Sequence, residues 1–155
     1  MTTLGFPLIH NLSIQRQGVC ELIERIQPES LLSDGGLNLL FALQVRVLFH
    51  LRVEDDLLVA VLDAEARRRP EIAEIMDQWI QPLRGFAEEA QAFFQHWLSH
   101  EGDGDRDIHA GDLRADWQSL KEVLELRMRT AERLLYPAYK TLHNERQRKS
   151  RPFSH

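Results

Sequence analysis

The sequence predicts an all-α protein, and three observations lead to that class. The helix formers Leu, Ala, Glu, Arg and Gln outnumber the β-branched residues. The 155 residues include only 8 Gly and 6 Pro. The long segments between them repeat apolar residues every three to four positions, as a helix with one buried face requires. Four such helices with short connections fold most simply as an antiparallel up-down-up-down four-helix bundle.

The first two predicted helices flank a loop of turn-forming residues. Pro7 suits the first turn of helix 1, because its missing N–H would have no partner there. Helix 1 is expected to end near Gln27, and residues 28–36 form the loop. Helix 2 follows and ends near Arg67, since the approach to Pro70 disfavours helical conformation.

Helix 3 is predicted to start at Pro70 and to continue to Trp97. Pro82 lies inside it and has no N–H to donate, so a kink is expected near Gln78, four residues earlier. The Gly- and Asp-rich residues 100–111 form the next loop.

Helix 4 is predicted from about Asp112, a residue type suited to a helix N-cap, to Tyr136. Pro137 should interrupt it, leaving one last turn. Residues 1–143 then form one domain, and the basic residues 144–155 are expected to be a disordered tail.

Composition excludes several classes of function. A formal net charge of −5 argues against an unspecific nucleic-acid binder, because such proteins need a basic face. Cys20 is the only cysteine, so no disulfide within the chain can form, as is typical of cytoplasmic proteins. We find no signal-peptide pattern and no uncharged run long enough to cross a bilayer, and therefore expect a cytoplasmic protein with no membrane partner.

His50 and Glu54 are the most informative polar pair, because they lie inside the longest apolar run of the chain. A spacing of four places both side chains on one face of a helix, about one turn apart. Counting helix lengths from each turn brings residues 10–15, 77–81 and 131–132 level with this pair. The predicted interior layer consists of His50, Glu54, Glu132 and His10.

Two segments resemble the bacterial hemerythrin-like, or HHE cation-binding, family. Residues 47–58, VLFHLRVEDDLL, are similar to the HLxxED signature of its second helix, and residues 127–137, RMRTAERLLYP, are similar to its fourth-helix segment ending in LYP. The resemblance covers residues 9–139. It implies a four-helix bundle that holds two iron ions through His and carboxylate ligands and binds or senses dioxygen.

The chain departs from the ligand pattern of that family. The second-helix HxxxE is kept as His50 and Glu54, but the fourth-helix HxxxxD reads Arg127 to Glu132, so its histidine is lost. Arg127 would repel a metal ion near this layer, yet it could pair with Glu54 or Glu132 and satisfy either carboxylate without metal.

The other two helices also lack the expected histidines. Residues 76–79 of helix 3 are Met, Asp, Gln and Trp, and helix 1 offers Gln15 or Arg16 where the family has a ligand. Iron is therefore the expected cofactor if any metal binds, but a complete di-iron site is not expected.

Other groups of polar side chains indicate a function less clearly. His96 and His100, followed by an acidic loop, would suit a surface zinc or nickel site, but a solvated helix end explains them as well. No nucleophile with an adjacent base and no glycine-rich phosphate loop occurs, so the sequence does not predict an enzyme.

Two functions remain open from the sequence. A cytoplasmic binding or sensing module would hold metal, or dioxygen through metal, with His50, Glu54, Glu132 and His10. A metal-free interaction protein would instead present the bundle surface to a protein partner or to a second copy, as a homodimer.

Overall fold

The computed structural model describes residues 5–83, 85–98 and 110–150, and these residues form an all-α protein without strands. The predicted fold class is confirmed at that level. A 3₁₀ turn, Pro28–Ser30, precedes the second helix. The α-helical segments are α1 (Gly5–Arg25), α2 (Asp34–Glu54), α3 (Ala60–Ala66), α4 (Pro70–Leu83), α5 (Phe86–Leu98), α6 (Ala110–Thr130) and α7 (Tyr136–Ser150).

Two wider turns join these segments into longer helices. The π-helical turn Asp55–Val59 connects α2 to α3, and the π-helical turn Ala131–Leu135 connects α6 to α7. The described residues therefore form five continuous helices. Single π turns within α-helices are often found at functional sites, and both turns here adjoin the interior layer that the sequence predicts.

The last helix continues past Pro137, where the sequence predicts an interruption. Pro137 has no N–H for the carbonyl four residues earlier. In the π turn just before it, the Tyr136 N–H bonds to the Ala131 carbonyl, five residues back, and this wider spacing carries the helix past the proline. The helix then reaches Ser150, so residues 144–150 of the expected tail are helical. Residues 151–155 lie outside the described part of the chain.

The predicted single helix 3 is two helices, and the kink expected near Gln78 is wrong. The helix is unbroken through Gln78 and ends at Leu83. Gly85 has a φ of 81°, a left-handed conformation that glycine adopts at little cost because it has no Cβ. The chain therefore turns after Pro82 rather than bending before it.

The start of α2 is fixed by a cap and by a close backbone approach. The Ser33 hydroxyl accepts a hydrogen bond of 3.0 Å from the Gly36 N–H, satisfying one of the free donors of the first turn. A Cβ on Gly36 would lie 2.0 Å from the Ser30 carbonyl oxygen, so only glycine fits there. The end of the α2–α3 helix at Ala66 agrees with the prediction near Arg67.

The buried apolar residues form two clusters along the molecule. The first cluster includes Leu51 and Met128, and the second includes Leu58 and Ala131. The C-terminal ends of α2 and of α6 thus lie at the boundary between the two clusters. The buried polar side chains of these helices lie at the junction between the two clusters.

Candidate functional site

Five side chains from three continuous helices meet at this junction, and we call them the polar layer: Gln15, His50, Glu54, Arg127 and Tyr136. Glu54 is 1% exposed and lies at its centre. Its Oε2 accepts a hydrogen bond of 2.6 Å from the Tyr136 hydroxyl and lies 3.2 Å from His50 Nε2. Its Oε1 lies 3.3 Å from an Arg127 guanidinium nitrogen. Both carboxylate oxygens therefore have hydrogen-bond partners within the protein.

His50 links this carboxylate to α1. Its Nδ1 lies 2.9 Å from Gln15 Oε1, while its Nε2 faces Glu54. Each ring nitrogen therefore lies within hydrogen-bond distance of a side-chain oxygen, one from α1 and one from its own helix. His50 is only 3% exposed, and both of its nitrogens are satisfied.

Arg127 brings a positive charge into the same layer. Its guanidinium donates to Glu54 and, at 3.1 Å, to Asp55 at the rim of the layer. The guanidinium carbon also lies 4.9 Å from the centre of the Trp79 ring and 6.0 Å from that of Phe86. Aromatic faces attract a cation at these distances, so carboxylates and rings together hold the arginine in the interior.

The electrostatics of the layer keep Glu54 ionised. Burial by itself would raise the pKa of Glu54. The hydrogen bond from His50, the charges of His50 and Arg127, and the hydrogen bond from Tyr136 outweigh burial and hold that pKa below its ordinary value. Burial, followed by the charge of Glu54 and the hydrogen bond to it, raises the pKa of Tyr136, so the phenol remains a donor.

The lowered pKa of Glu54 predicts a pH dependence of stability. An unfolded Glu has a pKa of about 4.3. Glu54 therefore stabilises the folded state above that pH, and the contribution is lost as the pH falls through the lower folded-state pKa. We expect the urea midpoint of the wild type to fall more steeply below about pH 5 than that of Glu54→Gln. Glu132→Gln, which alters a half-exposed carboxylate, should follow the wild type. Parallel curves for the wild type and Glu54→Gln would contradict the assignment.

The structure brings together only two of the four predicted site residues. His50 and Glu54 meet, as their spacing predicts. Glu132 was expected in the interior but has a 52% exposed side chain, and it pairs with Arg16 at 2.7 Å. His10 is also exposed. The described contacts therefore place neither Glu132 nor His10 in the polar layer.

The π turn determines which polar side chain after Arg127 reaches Glu54. Within it Ala131 and Leu135 are buried, whereas Glu132 points outward. Tyr136, four residues after Glu132, supplies the polar group that reaches Glu54. Sequence patterns could not predict that Tyr136 takes the place expected for Glu132, because the local widening of a helix depends on its packing.

Arg127 was recognisable from the sequence because it stands where the resemblance expects a histidine, and Gln15 is one of the two residues, with Arg16, that the resemblance offered on helix 1. The pairing of Arg127 with Glu54, one of its two predicted partners, is confirmed. The His96–His100 pair cannot be described, because His100 lies outside the described residues. Within residues 5–83, 85–98 and 110–150, no three His, Cys, Asp or Glu side chains are grouped to hold a metal ion.

Comparison with known proteins does not assign this chain to a family. No family model matches the chain, and neither a curated protein nor a solved structure matches it. The fold and the polar layer define an all-α protein with a buried ionic network. The kinship with hemerythrin-like proteins stays a prediction that depends on residues 47–58 and 127–137.

Proposed function

We propose that this protein is a hemerythrin-like four-helix bundle that acts as a metal-free cytoplasmic interaction protein rather than as an enzyme. The observation that carries the proposal is the position of Arg127. Its guanidinium contacts Glu54 from the interior of the protein, where a metal ion would have to bind that carboxylate. An internal cation thus takes the role that iron has in the family.

The packing of the helices supports the bundle. α1 packs on α2, α2 packs on α5, α5 packs on α6, and α7 packs on α1. Because α6 and α7 belong to one continuous helix, these contacts close a ring of four helices. α3 packs on α4, and α4 contacts the turn Ala131–Leu135. We propose that α4 and α5 together form the third position of an antiparallel up-down-up-down arrangement.

The donor set of the layer does not fit a di-iron centre. A histidine binds metal through a nitrogen lone pair, but both nitrogens of His50 are directed at oxygen acceptors. Glu54 is shared among His50, Arg127 and Tyr136. A divalent ion beside Glu54 would also lie next to the Arg127 charge, and like charges repel strongly where water is excluded. The residues present therefore stabilise the carboxylate as an ion pair.

The polar layer also suggests why an interaction protein would keep buried charges. Replacing an ion pair by apolar residues often leaves stability unchanged, and buried polar groups can instead select one alignment of the helices. Contacts of Glu54 with Arg127 and Tyr136 align α2 with α6 and α7. We propose that this alignment keeps the outer faces of the bundle in fixed positions for a partner.

A metal-sensing function is the second candidate, and one observation favours it. His50 and Glu54 are buried, lie 3.2 Å apart and have the HxxxE spacing of an iron site. A single metal ion, and dioxygen through it, would require Arg127 to leave Glu54.

Metal analysis after expression in iron-supplemented medium separates the two functions. We expect the purified protein to contain iron well below stoichiometry and to show no oxo-bridged charge-transfer band in air. The His50→Ala variant should then match the wild type in metal content and differ only in stability. Stoichiometric iron that His50→Ala abolishes would establish the sensing function and overturn our proposal.

A further inference from the structure

The outer face of α2 carries a row of exposed apolar side chains. Phe41, Val45 and Phe49 are 58%, 55% and 59% exposed and recur every four residues, so they follow one line on the helix surface. We call them the α2 stripe. The opposite face of the same helix is buried in the core. A helix that is apolar on both faces is expected to be covered on both.

The composition of the whole helix also indicates that its outer face should be covered. The continuous helix Asp34–Ala66, 33 residues long, is long and apolar enough to cross a membrane by length and composition, yet only 33% of its most apolar window is buried. Its inner face is already packed in the core and holds His50 and Glu54. Therefore one face of this helix is exposed, and the other is packed in the core.

A neighbouring apolar side chain enlarges the stripe at one end. Ile14 on α1 is 54% exposed. Ile14 and Phe49 each adjoin one member of the Gln15–His50 contact, so they lie at the same height on adjacent helices. The exposed apolar surface thus extends from α2 onto α1.

Two arginines, Arg46 and Arg52, lie beside the stripe on the same helix. An Arg46 guanidinium nitrogen lies 3.0 Å from where a Cβ on Gly18 would be, so this side chain reaches across α1. Arg52 pairs with Asp56 on its own helix at 3.8 Å. Arg46 thus leans toward α1 and Arg52 has an acidic neighbour on its own helix, while the three side chains of the stripe are uncharged. Such a surface fits an apolar partner better than an acidic one.

We propose that the α2 stripe is the interface of a two-fold symmetric homodimer in which the α2 helices of two copies cross antiparallel at Val45. The stripe reads the same in both directions about Val45, with an aromatic residue four positions away on each side. A two-fold axis brings the same patch of both copies together. Phe41 of one copy then meets Phe49 of the other, and the smaller Val45 side chains meet at the crossing point.

The polar residues at the ends of the stripe suit the same symmetry. Asn38 and Arg52 lie seven residues on either side of Val45. An antiparallel crossing places the amide of one copy near the guanidinium of the other, as in the polar rim of an interface. The two Arg52 side chains lie at opposite ends, so their charges stay far apart.

The available area is close to what a dimer needs. An aromatic side chain presents about 200 Å², so Phe41 and Phe49 each leave on the order of 100 Å² in water. With Val45 and Ile14 the apolar surface reaches roughly 400 Å² per chain. A stable interface buries about 800 Å² per partner, of which about 65% is apolar in homodimers. These four side chains therefore supply most of the apolar part.

Light scattering after size exclusion tests the proposal, which rests on the interaction function proposed above and names its partner. We expect the wild type to be a dimer at micromolar concentration and Val45→Glu to be a monomer with unchanged helical content. Leu126→Glu, at a 37% exposed apolar residue on α6 outside the stripe, should remain a dimer. A monomeric wild type, including one that pellets with phosphatidylcholine vesicles, overturns the proposal, as does a dimer that survives Val45→Glu.

Disulfide trapping tests the crossing point itself. In a Cys20→Ser background, Val45→Cys should form a covalent dimer under mild oxidation, because residue 45 lies on the two-fold axis, whereas Leu126→Cys should not. Equal trapping at both positions would contradict the interface. These readouts do not depend on metal content. Stoichiometric iron in a dimer would overturn only the metal-free function, and an iron-free monomer would overturn only the homodimer.

Discussion

Replacing Arg127 by Met should lower the free energy of unfolding by about 3–5 kcal/mol, because it removes one partner of a buried ion pair. Glu54 would keep Tyr136 and His50 but lose the guanidinium that neutralises it. Urea denaturation at neutral pH measures the effect. The exposed neighbour Arg129 gives the matched control, since Arg129→Met should change stability by no more than about 0.5 kcal/mol.

Two outcomes would contradict this account of Arg127. A loss similar to that of Arg129→Met would mean that the Arg127–Glu54 contact does not stabilise the core. A variant that is destabilised but regains full stability with added ferrous iron would mean that the carboxylate is a metal ligand.

The second large effect is that substitutions of Arg127 and Glu54 change the free energy of unfolding in a non-additive way. Glu54→Gln alone should also be strongly destabilising, because the half-exposed Asp55 is then the one acidic partner that the described residues give the buried guanidinium. The double variant Glu54→Gln/Arg127→Met removes both charges, so its loss should be smaller than the sum of the single losses by about 2–3 kcal/mol. Denaturant unfolding of the four proteins measures this interaction energy. Additive losses would show that the two side chains act independently.

The periodic part of the fold was predictable because its signals are local. The apolar spacing predicted the all-α class, and the approach to Pro70 predicted the end of the α2–α3 helix. Pro82 and Pro137 were misleading for a shared reason. Each removes one hydrogen bond, but whether the helix kinks, widens or ends depends on the packing of the following residues. The chain ends a helix after Pro82 and widens one before Pro137.

The site was predictable to the extent that it lies on one helix. A spacing of four is enough to bring His50 to Glu54, and the structure agrees. Partners from other helices depend on register, and the π turn Ala131–Leu135 shifts that register. Glu132 faces outward to Arg16, while Tyr136, one turn later, reaches Glu54.

The pairing of Arg127 explains how a bundle can keep an acidic centre without an exogenous cation. The guanidinium is permanently charged and is held by Glu54, Asp55 and the Trp79 face. We propose that the interior holds no ligand and that the function of the protein depends on its surface. Among the described residues, the α2 stripe carries the largest exposed apolar side chains.

The most direct test of the central claim is a crystal structure of the protein expressed with added iron, with diffraction data collected at the iron absorption edge. We predict density for the Arg127 guanidinium within hydrogen-bond distance of Glu54 and no anomalous peak between His50 and Glu54. An anomalous peak at that position, with Arg127 turned away from the carboxylate, would contradict the account.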